Sequence, residues 1–253
     1  MNTIPRSEHP KPQFQRDKWM NLNGQWAFEI DNGRSGKARG LHQADAQLSD
    51  TILVPFCPQS ELSGVNHKDF LSGVWYRRTF ELTKEQLSGR VVLHFGAVDY
   101  HCEAFVNGVS VGTHTGGYVS FCFDVTEAVH EGENVITVYA EDDERDPLIP
   151  RGKQSELFYS HGCDYTRTTG IWQTVWMEFL PETHIEKIKI FPSVETGSFD
   201  VEALLKGAGT LAVEASYEGR PMGAASVKAD SGLVRLHLPL QETHLWELGC
   251  GRL

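Results

Sequence analysis

Alternation of apolar and polar residues runs through almost the whole chain. Residues 25–30 (QWAFEI), 51–56 (TILVPF), 74–82 (VWYRRTFEL), 90–98 (RVVLHFGAV), 102–112 (CEAFVNGVSVG), 119–125 (VSFCFDV), 134–142 (NVITVYAED) and 171–180 (IWQTVWMEFL) carry it. So do residues 184–191, 199–205, 210–219 and 233–240. A period of two sends successive side chains to opposite faces of a strand, and turn pairs such as Asn107-Gly108, Gly116-Gly117 and Glu131-Gly132 punctuate the runs. No stretch keeps the period of a long amphipathic helix, and residues 83–87 amount to a single turn at most. Parallel α/β architectures need a helix between strands, and the linkers here are too short and polar to supply one. The pattern predicts an all-β chain of antiparallel sheets.

With 253 residues there is room for one large or two medium cores. Near Pro181-Glu182-Thr183 a segment rich in tryptophan and other aromatics gives way to a plainer one. The expected division is residues 1–182 as a jelly-roll β-sandwich and 183–253 as an immunoglobulin-like β-sandwich. An immunoglobulin-like domain takes about 100 residues and seven strands. The second part offers four or five recognisable strands, so it reads as a partial sandwich, truncated at its C-terminal side. Missing strands would leave an unpaired sheet edge, which predicts marginal stability or self-association of that part.

Lys and Arg number 23 against 34 Asp and Glu, a formal net charge of −11. Polyanions are repelled by such a field, so nucleic acid and anionic membrane surfaces are excluded as partners. No run of residues is long and apolar enough for a membrane span, and residues 1–19 lack the apolar core of a signal peptide, so the expected location is cytoplasmic. Cys57, Cys102, Cys122, Cys163 and Cys250 are odd in number, widely scattered and free of any C-x-x-C pair. Reduced, largely buried thiols are expected rather than a disulfide framework or zinc knuckle, and no cofactor is implied.

Two polar clusters invite a chemical reading. Residues 141–146 (EDDERD) offer oxygens for calcium, but without the glycine turn of an EF-hand they read as a hydrated loop. His161-Gly162-Cys163 could contribute a metal-ligand pair or a Cys–His nucleophile, yet one pair falls short of a four-coordinate site. No G-x-S-x-G nucleophile elbow occurs, so a serine triad is set aside.

Four segments are too specific for a generic sandwich: 19–28 (WMNLNGQWAF), 74–80 (VWYRRTF), 95–100 (FGAVDY) leading to Val106-Asn107-Gly108, and 165–176 (YTRTTGIWQTVW). Together with Gly116-Gly117-Tyr118, residues 123–126 (FDVT), 132–134 (GEN) and 150–154 (PRGKQ), they resemble the N-terminal part of glycoside hydrolase family 2. The resemblance is dense from Phe14 to Phe179 and thin afterwards. That family includes β-galactosidases, β-glucuronidases and β-mannosidases. The likeness implies a galactose-binding-like, sugar-binding jelly roll, then an immunoglobulin-like sandwich, then a catalytic (β/α)8 barrel carrying two glutamates for retaining hydrolysis. A barrel needs about 250 residues of alternating strand and helix, which this chain does not contain. No catalytic residue can therefore be placed here, and the chain alone is expected to be inactive on glycosides. Leu245-Trp246 and the following residues to Leu253 resemble the segment that leads into the next strand of the family's second domain.

Asp164, six residues before Gly170, is the leading site candidate. In the galactosidase and glucuronidase members this segment is similar to, an aspartate at that spacing reaches the sugar pocket and binds substrate hydroxyls. The chemistry suits a carboxylate, which accepts two charge-assisted hydrogen bonds at once. The competing reading has Asp164 capping a turn or pairing with Arg151 or Arg167. Tyr165 beside it could serve either side. Asp69, in residues 66–70 (NHKDF), lies in the region from which some family galactosidases lend a polar group, against the alternative of a solvated loop. Arg151 is a further substrate-contact candidate, although with Gln154 it reads more readily as organising the loop that holds Asp164. Trp26, Trp75, Trp172 and Trp176 fall inside strand patterns and are expected in the core rather than on sugar.

The expected function is positional: the non-catalytic N-terminal portion of a family 2 β-glycosidase, of β-galactosidase or β-glucuronidase type, shaping the sugar pocket beside a missing barrel. Its partners are then a β-glycoside substrate, that barrel and, if the parent assembles, further copies of itself. The alternative is a stand-alone carbohydrate-binding module or a structural, oligomer-forming sandwich.

Overall fold

The computed structural model describes residues 4–143 and 145–249; Glu144 of the acidic run, Cys250 and residues 251–253 of the tail lie outside them. The chain divides into two compact units at Leu180/Pro181.

Twelve strands build the first unit: Trp19–Asn21 (β1), Gly24–Ile30 (β2), Asp50–Val54 (β3), Gly73–Leu82 (β4), Arg90–Phe95 (β5), Val98–Asp99 (β6), His101–Val106 (β7), Val109–Thr115 (β8), Phe121–Asp124 (β9), Gly132–Glu141 (β10), Gly170–Ile171 (β11) and Val175–Leu180 (β12). One antiparallel sheet has the order β1-β12-β5-β9 and another β3-β2-β4-β10-β7-β8; β6 and β11 form a separate short pair. The fold is an all-β sandwich, and only three short 3-10 turns interrupt the strands among the described residues. Residues 84–87 form a hydrogen-bonded turn, in which Ser88 N donates to Glu85 O at 3.1 Å.

The period of two explains what fills the sandwich. Along β10, Ile136, Val138 and Ala140 join Trp26, Phe28, Tyr76, Leu93, Phe95 and Met177 in the main core. Tyr139, one residue out of phase, joins Trp75, Phe105 and Leu41 in a second cluster. Covering both faces of the central strands buries successive residues as well as alternate ones, so Gly73–Tyr76 of β4 and Asn134–Ala140 of β10 are buried without a break. Asp31 anchors that cover: its carboxylate accepts from the Ser35 and Gly36 amides at 2.9 and 2.7 Å and from Trp75 Nε1 at 3.0 Å. Burial would raise the Asp31 pKa, but these donors outweigh it and hold the carboxyl below the usual range. At the β7–β8 hairpin, Asn107 and Gly108 take positive φ values of 52° and 81°, the pair of left-handed residues that a two-residue type I′ turn requires.

On the four-stranded sheet, Glu178 of β12 accepts from Arg16 Nε at 3.0 Å and lies 3.1 Å from His94 Nε2. His94 stacks on Trp176 across the β5–β12 pair, with ring centroids 4.7 Å apart. Trp26, Trp75 and Trp176 are fully buried, whereas Trp172 is half-buried and donates from Nε1 to the Gly117 carbonyl at 2.8 Å.

The second unit has five strands among the described residues: His184–Ser193 (β13), Ser198–Lys206 (β14), Gly209–Tyr217 (β15), Arg220–Ala229 (β16) and Gly232–Pro239 (β17). They form a three-stranded sheet, β13-β14-β17, and a two-stranded one, β15-β16. Its core is small, built on Ala203, Leu205 and Leu211 with Ile185, Val213, Ala229 and Val234 against them.

Candidate functional site

Strands β10 and β11 are joined by residues 142–169, a stretch with no strand or helix of its own among the described residues. Loops of this length keep a fixed shape only when their polar groups are tied down, and two side chains do most of the tying. Arg167, 1% exposed, donates to the carbonyls of Ser155 (3.2 Å), Leu157 and Lys68, and its guanidinium lies 4.2 Å from the centre of the Phe70 ring. Phe70 in turn meets the Phe158 ring edge-on at 5.1 Å. The 66–70 loop and the 142–169 loop are thereby fastened to each other.

Gln154 is the second tie. Its amide nitrogen donates to Asp99 Oδ2 at 2.8 Å and to Tyr118 Oη at 3.1 Å, and its carbonyl accepts the Thr168 amide at 2.5 Å. Backbone bonds between Ser155 N and Tyr165 O (2.8 Å) and between Tyr165 N and Lys153 O (2.7 Å) zip the two arms of the loop together. Gln59 clamps the base, donating to Thr169 Oγ1 at 2.9 Å and accepting the Thr169 amide at 3.2 Å. Two glycines permit the close approaches. A Cβ on Gly117 would fall 2.1 Å from Asp99 Oδ1, and one on Gly170 (φ +75°) would fall 2.3 Å from Tyr76 Oη.

Burial raises the Asp99 pKa to about 6, and the Gln154 donor only partly offsets this. An unfolded aspartate titrates near 3.9, so the folded chain holds this proton more tightly. Its favourable contribution is complete below about pH 4 and is lost as pH rises through 6. Asp99→Asn, which keeps an oxygen for Gln154, is expected to unfold like the parent chain near pH 4. At pH 7.5 it should be more stable by on the order of 2–3 kcal/mol. Urea titrations at the two pH values check this, and an equal difference at both would show that Asp99 does not titrate in this window.

At the loop's far end a tight turn presents Asp164. His161 N donates to Asp164 O at 3.1 Å, Asp164 N donates back to His161 O at 2.7 Å, and Gly162 between them takes φ +53°. The Asp164 carboxylate lies 3.8 Å from His161 Nε2 and 3.9 Å from the Cys163 thiol. Neither arginine that could have neutralised it does so. Arg167 is spent on carbonyls, and Arg151 Nη1 donates to Glu156 Oε2 at 2.7 Å. Asp164 is thus a half-buried carboxylate on a rigid turn with acceptor capacity left over.

Tyr165, next to it, is 62% exposed, and Phe158 and Tyr159 on the same loop are 67% and 66% exposed. Arg151 and Glu156 line an open cleft of about 520 Å3 with Arg145, Asp146, Pro147 and Ile149. Asp69 is exposed and accepts the adjacent Phe70 amide at 2.6 Å; it shares the joined loops with Asp164, with no bond between the two carboxylates or their partners. The described acids of residues 141–146 turn to separate partners: Glu141 accepts from Tyr139 Oη, Asp142 is buried against Thr169, Asp143 pairs with Arg145, and Asp146 caps the Leu148 amide. Sequence reasoning did not bring Glu156 to Asp164 and weighed His161 only with Cys163, and it passed over the exposed Phe158 and Tyr159 of the same loop. The apolar Leu157-Phe158-Tyr159 run inside a polar loop was the available signal for the two aromatics.

Residues 19–181 match the family model for the sugar binding domain of glycosyl hydrolases family 2. The chain belongs to glycosyl hydrolase family 2. Among its curated relatives, a β-galactosidase of Thermoanaerobacter pseudethanolicus is 34% identical over 123 residues, 48% of this chain and 16% of that protein. A putative β-glucuronidase of Formosa agariphila is 31% identical across 73% of this chain and 21% of its own length, and the Felis catus β-glucuronidase 26% identical across 94% and 40%. In solved structures the same sandwich recurs: the Lactobacillus rhamnosus β-glucuronidase superposes with a TM-score of 0.73 at 22% identity, covering 92% of this chain and 40% of that one. An apo β-glucuronidase from Ruminococcus gnavus gives 0.72 at 20%, covering 95% and 41%. The chain spans less than half the length of each of these family 2 proteins.

Proposed function

We propose that this chain is the sugar-positioning N-terminal portion of a family 2 β-glycosidase of β-glucuronidase or β-galactosidase type. Its jelly roll shapes one wall of the pocket, and the part from residue 183 onward belongs to an immunoglobulin-like sandwich. A (β/α)8 barrel elsewhere in the parent carries the two carboxyl groups that retaining hydrolysis needs about 5 Å apart. The observation that carries this reading is Asp164, a carboxylate fixed on a closed turn while both nearby arginines are committed elsewhere. Such a group can take two sugar hydroxyls at once, with Tyr165 exposed beside it for a third contact. Cys57, Cys102 and Cys163 are free thiols, which supports a cytoplasmic setting within the same reading.

One wall offers few hydrogen bonds against the cost of association. The isolated chain is therefore expected to leave nitrophenyl β-galactoside and β-glucuronide intact and to bind the free sugars at about millimolar strength or weaker. Saturation-transfer NMR and a chromogenic assay on the purified chain test both points. Turnover by the chain alone would overturn the positional role, and micromolar sugar binding would turn it into a stand-alone carbohydrate-binding module.

A further inference from the structure

Phe158, Tyr159 and Tyr165 are the three most exposed aromatic side chains among the described residues, and all three lie on the 142–169 loop. For Phe158 and Tyr159 a slack backbone is not the reason. The Leu157 amide donates to Ser155 Oγ at 3.1 Å, the Leu157 carbonyl accepts from Arg167, and Ser155 Oγ donates to the Tyr159 carbonyl at 2.8 Å. From this fixed stretch the two rings diverge. Phe158 turns to the 66–70 loop and meets Phe70 edge-on at 5.1 Å, whereas the Tyr159 ring stands 6.3 Å from that of His161, centre to centre. His161 Nε2 in turn lies 3.8 Å from Asp164 Oδ2, so one imidazole separates the tyrosine ring from the carboxylate. Polarity therefore falls along the end of the loop, from Asp164 through His161 to Tyr159, Phe158 and Phe70. We propose that Tyr159 is a specificity-determining residue, on which the parent glycosidase seats the flat apolar face of a substrate's leaving group, either an aromatic ring or the C–H face of a second sugar.

A β-glycoside carries a matching gradient. Its sugar offers hydroxyls, which a carboxylate accepts two at a time, and the group beyond the glycosidic oxygen is free to be apolar. A tyrosine ring held in the open loses little conformational entropy when a flat ligand covers it, because only two side-chain torsions are involved. Ring-on-ring geometry adds to the area buried, and this gain does not require the phenol hydroxyl. A protein partner suits the surface less well. The centres of protein interfaces are depleted in charged groups, and here Asp164 and the Arg151–Glu156 pair, with Glu156 Oε2 3.5 Å from His161 Nε2, would be covered along with the ring. A small ligand touches the ring and leaves those charges in water. Because the backbone ties fix where the ring stands, the platform exists before any substrate arrives, which lowers the cost of binding.

The inference rests on the pocket reading of Asp164, and its test separates the two. Non-hydrolysable 1-thio-β-glycosides of the sugar that the full-length parent cleaves, with a methyl, phenyl or pyranosyl group on sulfur, serve as competitive inhibitors, which keeps leaving-group chemistry out of the comparison. For wild type, the phenyl or the pyranosyl compound is expected to bind about tenfold tighter than the methyl one, and the arm that gains identifies the class of leaving group. Tyr159→Ala is expected to erase that preference while the methyl compound stays within about twofold of its wild-type inhibition constant, and Tyr159→Phe is expected to retain the preference. Asp164→Asn should weaken all three compounds alike. If Asp164→Asn changes none of them, the pocket reading fails and takes the proposal with it. If Asp164→Asn weakens all three but wild type shows no preference, or Tyr159→Ala keeps it, the role of Tyr159 alone is overturned. An equal loss for all three compounds in Tyr159→Ala overturns it as well, because the ring then touches the sugar itself or only supports the loop.

Discussion

Replacing Arg167 by methionine is expected to lower the unfolding free energy of the first unit by about 2–4 kcal/mol and to release the 142–169 loop. The guanidinium is buried, and three backbone carbonyls of two separate loops depend on it. Each buried acceptor left without a donor costs about 1–3 kcal/mol. Part of that loss is offset, because a buried cation no longer has to be kept from water, and methionine retains contact with Phe70. The loop should suffer more than the sandwich, since its strand-free backbone has few alternative partners. Urea unfolding followed by tryptophan fluorescence gives the global term, and amide exchange at Ser155, Tyr165 and Thr168 gives the local one. A change under about 0.5 kcal/mol together with unaltered exchange would mean that Arg167 does not hold the loop.

The part Arg167 plays in holding the loop is not legible in the sequence. From the sequence it is one of two arginines that could pair with Asp164, because spacing shows proximity along the chain but not which acceptors face a side chain after folding. The strands were legible for the opposite reason: hydrophobic periodicity is a local property that tertiary packing reinforces. Residues 134–142 show both effects, reading as one strand and folding as β10, yet the burial of Tyr139 on the outer face depends on a cover pinned by Asp31 a hundred residues away. Residues 90–98 and 171–180 read as unbroken strands but are split. Each contributes one end to the β6–β11 pair, where Asp99 lies opposite Gly170. Only Gly fits there, with positive φ and the Tyr76 hydroxyl in the place of a side chain. Asp164, six residues before that glycine, could be named from the resemblance alone, whereas its freedom from arginine could be seen only in three dimensions.

That freedom leads to the second large effect. On the pocket reading, Asp164→Ala in the full-length parent glycosidase is expected to lower kcat/KM by about 10²–10⁴-fold, because two hydrogen bonds to a charged group, at about 1.5–3 kcal/mol each, disappear. Asp164→Asn keeps the shape and one acceptor oxygen but presents an NH2 group to a sugar hydroxyl, so a smaller loss of about 10–100-fold is expected. Asp69→Asn in the same protein should stay within about threefold of wild type, since that carboxylate is exposed and already accepts its neighbour's amide. The ranking carries the argument. A structural carboxylate would lose stability in proportion to activity, whereas a substrate contact loses kcat/KM at unchanged thermal midpoint and does so unequally across sugars whose hydroxyls differ at the contacted carbon. Equal kinetics for Asp164→Ala and wild type on both galactosides and glucuronides would remove Asp164 from the pocket and leave its turn as nothing more than a well-closed loop end.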